Sequence, residues 1–158
     1  MLEPLKALFG ELTRGQKPAE LFAPNDYRLA SAALLVHAAT IDGAASDVEN
    51  TKLRAVLKTC FDLDDAATGE LIEQATAAEQ EAVDLYQFTS LVNRSLDEQG
   101  RLRLVESLWQ IVYADGRINE FEDNLIWRVA DLLGVSSRDR VEIRRRVAAE
   151  RANAGLAP

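Results

Sequence analysis

At 158 residues the chain has the length of one domain, and 47% apolar with 28% charged residues is the composition of a folded globular protein, not a disordered one. Eighteen Lys and Arg against 26 Asp and Glu leave a net charge of −8, which works against nucleic-acid binding and docking on anionic membranes and permits cations or a basic protein surface as partners. One cysteine, Cys60, and one histidine, His37, exclude an internal disulfide, a Cys-based zinc site and any site needing two His from one chain.

Residues 2–12 carry Leu2, Leu5, Leu8, Phe9 and Leu12 at helical spacing and predict a short amphipathic helix. Residues 1–18 hold no long apolar run and no Ala-x-Ala pattern, so no signal peptide is expected. Gly15, Pro18 and Pro24 mark a linker, which makes 1–24 an N-terminal helix and linker ahead of a main domain over 25–152. A helix over 25–41 ends at Asp42-Gly43. Its apolar part, residues 29–41, is too short to span a bilayer. A cytoplasmic protein is the expectation.

Ser46, with Glu49 three residues on, opens a helix to about 61 with a capping box. Asp64 caps a helix to about 82, Asp84 one to about 96, and Asp97 one that ends at Asp115-Gly116. Asn119, with Glu122 three on, opens a helix that stops at Gly134, and Ser136 opens the last, to about 152. Residues 153–158 are expected to fray. No alternating strand pattern occurs, so the prediction is an all-α bundle of about eight helices with short connections.

A shift of 73 residues superposes two segments, 35–50 on 108–123. Asp42 falls on Asp115, Gly43 on Gly116, Ser46 on Asn119 and Glu49 on Glu122. The unit is a helix, an Asp-Gly turn and a capped helix, used twice, and two such hairpins are expected to pack about a pseudo-twofold axis. Residues 42–49 carry −3 and residues 115–123 carry −3, most of the net charge. Carboxylates at such turns suit a hard divalent cation: calcium, magnesium or manganese. Capping explains Glu49 and Glu122 without any ligand. It explains Asp42 and Asp115 less well, because an anion at a helix C-terminus opposes the dipole. Asp42, Glu49, Asp115 and Glu122 are therefore the candidate metal residues. The spacing is not that of an EF-hand, since Gly directly follows the Asp.

The stretches at 32–43, 82–89, 103–122 and 129–136, with the paired Asp-Gly and Glu positions, resemble the tellurite-resistance protein B (TerB-like) family, in its small stand-alone form. The resemblance implies an all-α fold of two related helical hairpins, an acidic metal-binding surface with Ca²⁺ a candidate, and a place in bacterial tellurite or stress responses. Asp42, Glu49, Asp115 and Glu122 match the family's motif, whereas Thr40 and Ala45 depart from it in the first turn.

No nucleophile, general base or phosphate-cradling glycine motif is legible, so a non-enzymatic binding module is expected. The alternative is a metal-free scaffold that binds a protein partner or a second copy through the acidic turns or the arginine-rich last helix. His37 reads as a core or interface histidine and Cys60 as a buried thiol. Trp109, Trp127, Tyr86, Phe88 and Tyr113 read as packing aromatics.

Overall fold

The computed structural model describes residues 22–156, and the helix predicted at 2–12 lies outside them. Among the described residues there are seven helices and no strand: α1 (Tyr27–Thr40), α2 (Asp47–Phe61), α3 (Asp65–Glu81), α4 (Tyr86–Ser95), α5 (Glu98–Val112), α6 (Glu120–Leu132) and α7 (Ser137–Leu156). The architecture is the all-α bundle that the pattern predicts.

Short polar side chains set the boundaries. Asp26, Ser46, Asp64, Asp97 and Asn119 each accept an N–H from the first turn of α1, α2, α3, α5 and α6. Ser136 Oγ accepts from Asp139 N at 3.1 Å at the start of α7. Asp84 behaves differently from a simple cap. Leu85 is the N-cap of α4, and the Asp84 carboxylate accepts from Tyr86 N at 2.9 Å. Helix α7 continues to Leu156, past the expected end at 152.

Helix α1 organises the bundle. Every residue from 29 to 36 is buried, as are Ala38 and Ala39. A stretch buried on all sides has to be enclosed, and α1 packs against α2, α3, α4, α5 and α6. Its alanines (Ala30, Ala32, Ala33, Ala38, Ala39) let neighbours approach closely, and Leu34 and Leu35 fill the space between them. Leu57, Leu71, Leu108, Trp109 and Ile126 complete one core.

Helix α7 lies against α5 and α6 through Ile143 and Val147. Four of its arginines are engaged within the chain. Arg140 stacks 4.2 Å over the Trp127 ring, and Arg146 pairs with Glu106 at 3.6 Å. Arg144 donates to Tyr113 Oη and pairs with Asp123, each at 3.1 Å. Arg151 Nε donates to the Tyr113 carbonyl at 3.2 Å.

Three packing expectations change. Cys60 is exposed, because it lies on the outward side of the last turn of α2. Trp127 keeps 44% of its surface exposed beneath Arg140, and Tyr86 keeps 65%. Trp109 and Phe88 are core residues, as expected.

Ser31 is a polar exception inside α1. Thr40, Thr68 and Thr76 each donate their hydroxyl to the carbonyl four residues back. The Ser31 Oγ is buried and has no partner among the described residues. Removing an unpaired buried hydroxyl relieves a desolvation cost, so Ser31→Ala is expected to raise unfolding free energy by about 1 kcal/mol in urea melts. A loss of that size would mean that the hydroxyl makes a stabilising bond.

Candidate functional site

Both Asp-Gly turns use glycine for its backbone. Gly43 sits at φ 128° and Gly116 at φ 83°, a region that residues with a Cβ rarely adopt. Each glycine N–H closes its turn on the carbonyl three residues back: Gly43 on Thr40 at 3.0 Å and Gly116 on Tyr113 at 2.9 Å. The chain then reverses into a capped helix.

The caps are complete boxes. Ser46 N donates to Glu49 Oε1 at 2.9 Å while Glu49 N donates to Ser46 Oγ at 3.1 Å. Asn119 N donates to Glu122 Oε1 at 3.1 Å while Glu122 N donates to Asn119 Oδ1 at 2.8 Å. Both glutamates are buried. One oxygen of each therefore holds a helix start, and the other is left for a further role.

The two turns meet. Asn119 Nδ2 donates to Asp42 Oδ2 at 2.7 Å across 77 residues of sequence. The Asn119 amide thus spans two jobs: its oxygen caps α6 and its nitrogen grips the opposite turn. Ser46, its counterpart in the repeat, has one hydroxyl, and that hydroxyl serves as the cap acceptor. Sequence reasoning treats the two positions as equivalent caps and misses the bridge. The only signal for it was the amide's spare donor. Asp115 is held locally instead, accepting from Arg117 N at 3.0 Å in an Asx-type turn.

The electrostatics follow from this meeting. Burial pushes the Glu122 carboxyl up from 4.5 to about 7; the Asn119 N–H opposes that rise, and the charges of Asp42, Glu49 and Asp115 add to it. The other three predicted residues therefore all act on Glu122. Among the described residues none of the four pairs with a lysine or arginine. The neighbouring Asp123 does, with Arg144.

Four carboxylates supply hard oxygen donors, which fit Ca²⁺, Mg²⁺ or Mn²⁺ in chemistry. They do not form a closed cage: among the described residues no three His, Cys, Asp or Glu are grouped closely enough to hold a metal ion. The arrangement suits an open site in which water completes the shell. His37 lies elsewhere, its Nδ1 2.7 Å from Glu79 Oε2 between α1 and α3. Sequence reading gave no hint of that pairing.

A family model described as tellurite resistance protein TerB matches residues 28–145. No curated protein and no solved structure matches the chain.

Glu122 binds its proton more tightly in the folded chain than in the unfolded one. Its contribution to stability is therefore fully present below about pH 4.5 and is lost as pH rises through about 7. Glutamine keeps the capping box but cannot ionise. Glu122→Gln is expected to match the wild type near pH 4.5 and exceed it above pH 7, read by urea melts across pH in chelator. Parallel curves at all pH values would show that the carboxyl titrates normally.

Proposed function

The chain belongs to the tellurite-resistance TerB family, and from that premise we propose that it is a non-enzymatic module binding a hydrated divalent cation (calcium, magnesium or manganese) at the two acidic turns. Asp42 and Asp115 are the direct ligands. Glu49 and Glu122 contribute their second oxygens or act through water. The observation that carries this reading is the 2.7 Å bond from Asn119 to Asp42, which joins the turns and so gathers like charge without a basic partner. A divalent ion relieves that repulsion and takes the place of the Glu122 proton. The setting we assign is the bacterial cytoplasm under tellurite or related stress. Among the described residues, no helix is long and apolar enough to cross a membrane.

A metal-free scaffold is the second reading, favoured by the absence of a three-ligand group among the described residues. Of its two possible surfaces, the acidic turns suit it better than α7, where Arg140, Arg144, Arg146 and Arg151 are already engaged within the chain.

Thermal melts of chelator-treated protein separate the two. Titration with Ca²⁺, Mg²⁺ and Mn²⁺ is expected to raise the midpoint with the logarithm of metal concentration above Kd, by the equivalent of about 2.7 kcal/mol at a hundredfold excess over Kd. The Asp42→Asn plus Asp115→Asn variant is expected to lose the rise. The rise is larger at pH 8 than at pH 6, because Glu122 then has no proton to release. A flat wild-type response at millimolar metal overturns the cation reading and leaves the scaffold.

A further inference from the structure

Six large apolar side chains are exposed among the described residues, and three of them share one cleft. Val83 is 99% exposed, Tyr86 65% and Phe121 62%. They line a concavity of about 570 Å³ whose wall also holds Ile41, just past the end of α1, and the buried Leu125 of α6. Scattered apolar residues on a surface are ordinary, but convergence in one concave place marks an interaction site. The connection from α3 to α4 holds this display in place: Asp84 grips Tyr86 N at 2.9 Å, between the two outward side chains.

Charge identifies the occupant. Asp84 lines the cleft beside Val83, and two more exposed carboxylates flank its lining residues in the chain: Asp42 after Ile41 and Glu120 before Phe121. None of the three pairs with a basic side chain among the described residues. The basic groups in the cleft are Arg128 and His37, and His37 is already matched by Glu79 at 2.7 Å. An anionic membrane or a nucleic acid is repelled by such a rim. A second copy is disfavoured by the net charge of −8 and by the engagement of four α7 arginines within the chain.

We infer that this cleft docks a basic amphipathic segment of another protein, with apolar side chains seated on Val83, Tyr86 and Phe121 and Lys or Arg set against Asp42, Asp84 and Glu120. The mode is an amphipathic helix laid in a groove, with charge steering the approach and apolar anchors giving the affinity. The inference goes beyond the cation reading and does not depend on it.

The test uses the full chain in chelator and fluorescence anisotropy of three labelled model peptides. One places Leu at helical spacing among Lys, the second replaces Lys with Glu, and the third replaces Leu with Ser. Saturable binding is expected for the Lys–Leu peptide alone. Val83→Ser plus Phe121→Ser is expected to weaken it by roughly tenfold or more, as loss of apolar hot spots does. These side chains are exposed, so the variant keeps the wild-type melt. Val48→Ser, an exposed apolar site outside the cleft, leaves binding unchanged. Asp84→Asn plus Glu120→Gln is expected to weaken binding and flatten its salt dependence.

Equal binding of the Lys–Ser peptide, or full affinity in the Val83/Phe121 variant, overturns the proposal. So does a wild-type dimer that becomes monomeric in that variant, since the cleft then seats a second copy. Tighter peptide binding on Leu5→Ser plus Phe9→Ser also overturns it, because the chain's own first residues would then be the occupant. Chelator removes any cation from these measurements, so this inference and the cation reading fail separately.

Discussion

The structure depends on the burial of the middle of α1. Residues 29 to 36 are buried on every side, and a stretch with no polar face cannot lie on a surface. Five other helices therefore surround it, and its alanines determine how near they come. One consequence concerns the site. A helix enclosed through its middle still has to release its chain at the end, and α1 does so at Asp42-Gly43. The turn that leaves α1 emerges beside the start of α6, where Asn119 meets it.

The same logic reconciles architecture with charge. Gly43 and Gly116 supply the left-handed conformation that stops each helix. Ser46 and Asn119, with their glutamates, start the next one. A local account of each hairpin is thus complete without any ligand. What it leaves out is the pairing of hairpins. Burial raises the proton affinity of Glu122, and the meeting of the turns adds the charges of Asp42, Glu49 and Asp115 to that rise. Like charges gathered at one place cost stability, and such costs persist where a function needs them.

Much of this was legible in the sequence, for identifiable reasons. Helix boundaries depend on capping chemistry within four residues, and Ser46, Asp64, Asp97, Asn119 and Ser136 all act where the spacing put them. The repeat was legible because it preserves turn residues, which backbone geometry demands. Side-chain exposure was harder. Cys60 and Trp127 sit in helices whose sequence does not say which face meets a neighbour, and Arg140 covers Trp127 from a helix that only the fold brings near. The contact of His37 with Glu79 spans 42 residues, beyond any local pattern. The Asn119–Asp42 bridge was hidden for the same reason: the repeat aligned the two turns, but nothing in it said that they touch.

Tyr113 gives the two halves of the pseudo-symmetric pair different mechanical character. It lies two residues before Asp115, its hydroxyl is held by Arg144 and its carbonyl by Arg151, both from α7. A Cβ on Gly116 would stand 3.3 Å from the Arg151 guanidinium, and the Asp115 carboxylate is tied to Arg117 N. Among the described residues no arginine buttresses the first turn, and nothing stands within 4 Å of a Cβ placed on Gly43. The two turns are therefore held by different means: the second is braced by the last helix through Tyr113, and the first is tied through Asp42 to the start of α6.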